Sequence, residues 1–289
     1  MFFQFIINGL ITGVLYSLLA IGFALVYNTT KIFHVAAAAI YVVAAYAFWY
    51  FSYKMGLPLW IGAFLSLILT ILVSLLTEYL VYRPLKKKGS SLNVVMIASI
   101  GIMTVLVNLV AMCFGNETKV ISNEMMKVYT YGDIVITTPQ MCQLLTGVTA
   151  IVAFLFFINK TDWGIRLRAI SSDDVLYGAL GYDPMKTRVV VFLLSGLFVA
   201  LASCLTVYDV GLDPHMGMGV LINAMVAMII GGIGRFGTCV VGGLILGVLQ
   251  SLVVFQFASN WQNAITFIVL LIFLFLRPQG IAGYKQRTV

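Results

Sequence analysis

Of 289 residues, 62% are hydrophobic and only 9% are charged, with 17 lysines and arginines against 10 acidic residues. A soluble globule carries about 25% charged residues to face water, so this composition excludes a water-soluble domain and points to one integral membrane domain. The net charge of +7 does not indicate a nucleic-acid partner, because the basic residues sit in short clusters between apolar runs and form no continuous face.

Apolar windows of about 20 residues, the length that crosses a bilayer, follow one another almost end to end. In chain order they are Phe5–Tyr27, Ile32–Phe51, Leu59–Tyr82, Asn93–Phe114, Thr138–Ile158, Val189–Val207, Met218–Gly232, Thr238–Phe257 and Asn263–Leu276. The pattern predicts an all-α, polytopic membrane helical bundle of about eight or nine transmembrane helices, one domain over residues 1–289. The opening MFFQFIINGL lacks a basic stretch, so its apolar run reads as a retained helix rather than a cleaved leader. Cys113, Cys142, Cys204 and Cys239 stand singly, which predicts free thiols and no metal site.

Lysine and arginine set the orientation. With the C-terminus in the cytoplasm, the cytoplasmic segments hold Lys31; Arg83, Lys86, Lys87 and Lys88; Lys160, Arg166, Arg168, Lys186 and Arg188; Arg235; and Arg277, Lys285 and Arg287. Only Lys54, Lys119 and Lys127 fall outside, in keeping with the positive-inside tendency. Glu78 is the one carboxylate well inside a predicted span, and a charge there is a functional candidate by default. Its place near the cytoplasmic end predicts that it reaches the interface or pairs with Arg83. No span carries the Asp, Glu and His series of a proton-coupled pump; His34 lies at a span boundary and His215 in a loop.

Two loops are long. The external one, about 115–137, contains a predicted hairpin, Val128-Tyr129-Thr130 and Ile134-Val135-Ile136 around a Gly132-Asp133 turn. The cytoplasmic one, about 160–188, reads KTDWGIRLRAISSDDVLYGALGYDPMKTR. Ser172, Asp173 or Asp174 can cap a short helix through Val175, Leu176, Ala179 and Leu180, ended by Gly181, with Pro184 beyond. Such a helix lies on the membrane or docks into a partner's groove.

Gly232, Gly234 and Gly237 fit GxGxxG, but no soluble βαβ unit surrounds them and no acidic residue follows at the required distance; they read as turn glycines. No phosphate-binding GxxxxGK[ST] loop, catalytic triad or HExxH occurs. Gly9 with Gly13, and Gly243 with Gly247, are GxxxG pairs suited to close helix contact. The glycines after residue 215, among them Gly217 and Gly219, suit tight crossings or broken helices near a cavity.

Four blocks of residues recur in one known family. They are Asn8-Gly9-Leu10 with Gly13, Tyr16, Leu19-Ala20, Gly22 and Val26-Tyr27; Glu78 and Tyr82-Arg83-Pro84-Leu85, then Ile97 through Gly101; Thr161, Gly164, Leu167-Arg168-Ala169-Ile170, Asp173, Leu180-Gly181-Tyr182 and Arg188; and Met216-Gly217, Gly231 through Gly234, Gly237, Gly242-Gly243 and Arg277-Pro278-Gln279-Gly280. In this order and spacing the chain resembles the permease subunits of branched-chain amino acid type (LIV-type) ABC importers over essentially its full length.

The resemblance implies a transport subunit of the bacterial inner membrane, itself neither an enzyme nor a cofactor binder. An external solute-binding protein would deliver amino acids or similar small solutes, a second permease subunit would complete the path through the membrane lipid, and cytoplasmic ATP-binding subunits would drive it. Coupling to the ATPase would fall to Arg168, Asp173, Asp174, Leu176, Tyr177 and Gly181, the last in the place of the coupling-motif glycine. Val175-Leu176-Tyr177 stands where alanines are common, which implies a wider or more apolar groove on the partner. Where the family shows Asn-Phe-Ala-His-Gly-Glu, this chain has alanine at Ala37, Ala38 and Ala39. These residues, with Tyr41, Gly217 and Gly219, are the expected substrate path, and alanine there favours a continuous helix. The remaining alternatives are a permease for a sugar or amide and, from a different class, a secondary transporter.

Overall fold

The computed structural model describes residues 2–121, 127–131, 134–257, 261–277 and 279–281. Its elements are α1 (Phe2–Thr30), α2 (Ala37–Trp49), α3 (Leu59–Thr77), α4 (Arg83–Lys87), α5 (Leu92–Phe114), the strands β1 (Val128–Tyr131) and β2 (Ile134–Thr137), α6 (Thr138–Lys160), α7 (Asp162–Ser172), α8 (Asp174–Ala179), α9 (Pro184–Val210), α10 (Met216–Gly231), α11 (Thr238–Gln256) and α12 (Gln262–Leu276). A π turn, Tyr50–Lys54, prolongs α2, and another, Glu78–Tyr82, joins α3 to α4 without interrupting the helix. Among the described residues six helices are long and apolar enough to cross a membrane: α1, α3 with α4, α5, α6, α9 and α11; α10 and α12 are shorter and apolar.

The bundle is organised around α1. That helix has no charged residue, and 83% of its most apolar stretch is buried, as expected of a helix apolar on every side. Glycines set its closest contact. A methyl group at Gly9 would stand 2.8 Å from Val248 Cα, and one at Gly13 2.9 Å from Leu244 Cα, while Gly243 and Gly247 face Ser17, Gly13 and Gly9 in return. The two GxxxG pairs therefore interlock α1 with α11, and Ser17 Oγ adds a hydrogen bond to Val240 O at 2.9 Å. Bilayer lipid is as apolar as leucine, so close packing of small residues is what draws such helices together. The same logic orients α3, whose buried residues are Gly62, Ser66, Thr70, Ser74 and Thr77. Ser66 donates to Ala44 O and Ser74 to Phe192 O, each at 2.8 Å, tying α3 to α2 and α9.

The expected hairpin forms, with Val128 opposite Thr137 and Tyr131 opposite Ile134; its turn, 132–133, lies outside the described residues. Gln4 on α1 bonds Val135 through both its N–H and its carbonyl oxygen, at 2.8 Å each. One end of the bundle thus gathers Gln4, the hairpin, and the pairing of Lys119 with Leu212. The opposite end gathers the basic segments. Lys31, left-handed at φ 56°, reaches Ser171 O at 3.5 Å, and partial desolvation lowers its pKa from the ordinary lysine value. Lys86 meets Asp174 at 2.7 Å, Gly234 N–H donates to Asn28 Oδ1 at 3.1 Å, and Ile281 N–H donates to Ile230 O at 2.9 Å. Gly232 and Gly234 have φ of 109° and 97° in the turn between α10 and α11. Lys285 and Arg287 lie outside the described residues.

Two expectations are corrected. The second helix begins at Ala37, not Ile32, so the alanines form the first turn of a helix that is continuous from there to Trp49. Ser99 Oγ on α5 accepts from Ala36 N–H at 2.9 Å and fixes that entry. Glu78 neither reaches the interface nor pairs with Arg83, whose guanidinium lies 5.3 Å over the Tyr79 ring.

Candidate functional site

At the basic end, α8 is a separate short helix held out from the bundle. Asp173 caps it, its Oδ1 accepting from the N–H groups of Val175 and Leu176 at 2.9 Å each, as a preferred N-cap residue does. Gly181 follows with φ 85°, a conformation that side chains with a Cβ rarely adopt. Asp183 then caps α9 by accepting from Met185 N–H at 2.8 Å, with Pro184 in that helix's first turn. The proline expected to stop one helix therefore starts the next. Val175, Leu176 and Leu180 are 83%, 57% and 66% exposed. Tyr177 turns the other way: it is buried, its hydroxyl 2.9 Å from Thr187 Oγ1 and its ring stacked on Tyr182. Arg168 is exposed on α7, and Arg166 lies over the rings of Trp163 and Tyr182 at 5.0 and 5.4 Å. The expected coupling residues thus separate into an outward apolar face (Leu176, beside Val175), a cap (Asp173), an ion pair to α4 (Asp174) and an anchor (Tyr177).

Directly above this end lies a buried charge pair. Arg188 on α9 donates from Nε to Glu78 Oε1 at 2.8 Å and from Nη2 to Glu78 Oε2 at 3.1 Å, and both residues are at most 3% exposed. Two parallel hydrogen bonds match the planar fork of arginine to a carboxylate. Four residues on, Tyr82 donates to Ser99 Oγ at 2.8 Å and lies 2.9 Å from His34 Nδ1. The π turn thus presents Glu78 toward α9 and Tyr82 toward α5 and the entry of α2; π turns inside α-helices are frequent at functional sites.

Toward the middle of the bundle, Ala37, Ala38, Tyr41 and Gly217 meet around a cleft completed by residues of α1 and α9, with an internal space of about 10 Å³. That is room for about one water molecule. The Ala38 carbonyl abuts Gly217, where a side chain would collide with it. Ala39 is buried but does not line the cleft, and Gly219 is exposed with open space beside it. The structure therefore brings four of the six expected path residues together, in a closed arrangement.

Residues 5–274 match the family model described as "Branched-chain amino acid transport system / permease component". The chain belongs to this permease family. It is 28% identical over 301 residues to the high-affinity branched-chain amino acid transport system permease protein BraD of Pseudomonas aeruginosa, covering 99% of this chain and 97% of that one. With the corresponding LivH protein of Escherichia coli it shares 25% identity over 299 residues, 99% and 96% of the two chains. Among solved structures, PsaBC from Streptococcus pneumoniae in complex with Fab shares the fold, with a TM-score of 0.53 and 16% identity over 94% of this chain and 91% of that one.

In this permease the sequence reading missed Arg188 as the partner of Glu78, having used it as a marker of topology and of the family resemblance. It also missed a hydrogen-bond network of neutral side chains. Gln250 on α11 accepts from Tyr16 at 2.8 Å and donates to Asn223 Oδ1 at 3.1 Å and to Thr266 Oγ1 at 2.5 Å, while Asn223 donates to Tyr16 at 3.2 Å. The network joins α1, α10, α11 and α12, and its groups satisfy one another, which makes it a lock between helices. A polar residue in each of four apolar helices was the available signal.

Proposed function

We propose that the chain is one permease subunit of an ATP-driven importer that moves aliphatic amino acids, delivered by an external binding protein, across a bacterial inner membrane. The observation that carries this reading is α8, a capped six-residue helix whose outward face is Val175, Leu176 and Leu180 at the basic end of the bundle. An exposed apolar helix face of this kind suits a hydrophobic groove on a partner. That partner is a cytoplasmic ATP-binding subunit, which makes the basic end and the C-terminus cytoplasmic by the positive-inside tendency. Arg168 and Asp174 border the contact, Asp173 and Gly181 shape the helix, and Tyr177 anchors it to α9, so that a push on α8 reaches Arg188 and, through the ion pair, α3. The α2–α10 cleft, closed at Ala38 and Gly217, is a place where the path opens when α9 and α10 shift. The branched-chain substrates named for the relatives supply the solute class.

The test is to purify the intact complex from membranes and identify the small molecule held by its external binding protein. An aliphatic amino acid is expected. A sugar overturns the solute assignment, and a complex that contains no ATPase subunit overturns the transport class.

A further inference from the structure

We propose that the groove between α3 and α9 at the basic end of the bundle binds one anionic phospholipid, its phosphate held by Arg83 and an acyl chain laid along Leu72 and Leu76. The inference goes beyond the transport reading and needs only that the bundle spans a bilayer, so a failed uptake test leaves it standing.

The groove has a volume of about 270 Å³, with Leu72, Leu76, Tyr79 and Arg83 along one wall and Met185 and Val189 along the other. Each set recurs at intervals of three or four residues, so one ridge of each helix forms each wall. The first wall belongs to a single 29-residue span, Leu59–Lys87, in which α3 runs through its π turn into α4. At 1.5 Å per residue, Leu72 lies about 16 Å from Arg83 along that axis. Half the hydrocarbon core of a bilayer is about 15 Å thick. The groove therefore runs from the headgroup level to about the midplane, apolar along its length and cationic at its mouth.

Charge separates this groove from an ordinary lipid-facing surface. Arg83 Nε is enclosed without a hydrogen-bond partner, and its guanidinium lies over the Tyr79 ring. The neighbouring carboxylates are engaged: Glu78 by Arg188, Asp174 by Lys86, and Asp183 as the cap of α9. Lys87, one turn beyond Arg83, and Lys186, next to Met185, are exposed at the same end and belong to no ion pair among the described residues. Three cations thus border an apolar slot, which suits a phosphodiester carrying a hydrocarbon tail. A zwitterionic headgroup fits less well, because its ammonium meets the same three cations.

Other occupants lack this chemistry. A soluble subunit can reach Arg83 but not Leu72, near the midplane. A second copy of this chain offers no free carboxylate at membrane depth, where the described apolar helices carry only Glu78, which is paired, and Asp209, at the far end of α9.

The experiment takes the complex purified in detergent and stripped of lipid. It is titrated with phosphatidylglycerol, phosphatidylethanolamine or inorganic phosphate, with bound lipid counted by native mass spectrometry and melting followed in parallel. Phosphatidylglycerol is expected to bind and to raise the melting temperature, with little effect from the other two. Arg83→Gln should weaken that binding about fivefold, the weight of one basic residue at an anionic surface. Lys88→Gln, outside the groove, should leave it nearly unchanged. Leu76→Trp fills the slot and keeps the charge, so it should also weaken binding, and it serves where Arg83→Gln fails to fold. Equal losses in Arg83→Gln and Lys88→Gln, or equal binding of the two lipids, overturn the inference. A melting shift produced by inorganic phosphate alone overturns it too, since the site then needs no lipid. In bilayer discs, a fluorophore on Leu76→Cys in a cysteine-free chain should be quenched by brominated phosphatidylglycerol; an unquenched position 76 means that protein covers the groove, and the inference falls.

Discussion

Glu78, on the π turn after α3, and Arg188, on α9, hold each other through two hydrogen bonds of 2.8 and 3.1 Å, both side chains sealed from their surroundings. Removing one member strands the other charge in an apolar interior, which costs about 3–5 kcal/mol. Arg188→Met and Glu78→Leu are therefore each expected to lower folded yield and thermal stability in detergent sharply. The double variant, which leaves no charge, should recover most of that loss, because well-packed apolar replacements of buried ion pairs are often neutral. Equal losses in the single and double variants would mean that the pair is not formed.

The two faces of α8 make different predictions. Leu176→Asp places a charge on an exposed apolar surface, so ATPase association should fall while the thermal stability of the permease alone stays within about 0.5 kcal/mol. Tyr177→Phe removes the hydroxyl bonded to Thr187 and should cost about 0.5–1.5 kcal/mol of stability. Gly181→Val forces a β-branched residue into a φ of 85° and should disturb the exit of α8, lowering uptake and ATPase stimulation while insertion survives. Co-purification of the ATPase, measured beside melting in detergent, separates the three; an unchanged ATPase contact for Leu176→Asp removes this face from the interface.

At the α2–α10 contact, Ala38→Leu adds three carbons beside a space of about 10 Å³. Overpacking of this kind costs about 1–3 kcal/mol, so reduced complex yield is expected. Gly217→Ala should act in the same direction, its methyl group meeting the Ala38 carbonyl. In the complex that still assembles, blocked uptake is expected of a cleft that opens as part of the path, and normal yield with normal uptake would remove Ala38 from it.

Hydropathy windows disclosed the helices because lipid demands long apolar segments, and Val189–Val207 needed only its two ends extended to become α9. Local chemistry was equally legible at α8, where cap, apolar centre and terminal glycine lie within nine residues. Long-range pairing was not. Glu78 and Arg188 are 110 positions apart, and the sequence offered Arg83 as a nearer partner. The entry of α2 was misread for a related reason: Ile32 through Ala36 are apolar enough to extend a helix apart from His34, and only the buried contacts of His34 and Ala36 with Tyr82 and Ser99 show why the helix starts later.

Orientation can be read from accessibility in intact cells. Single cysteines replacing Lys87 and Lys186, both at the basic end, should be protected from impermeant reagents until the membrane is permeabilised, and one replacing Lys119 should label at once. Labelling at position 186 in sealed cells would invert the topology and detach α8 from a cytoplasmic ATPase.

Uptake itself is the most direct test of ATP-driven import. The permease is reconstituted into proteoliposomes with its ATP-binding subunits, ATP inside, and the binding protein loaded with radiolabelled L-leucine outside. Accumulation should require ATP, stop with vanadate and be lost in Leu176→Asp. Accumulation that proceeds without ATP and follows an imposed proton or sodium gradient would contradict it.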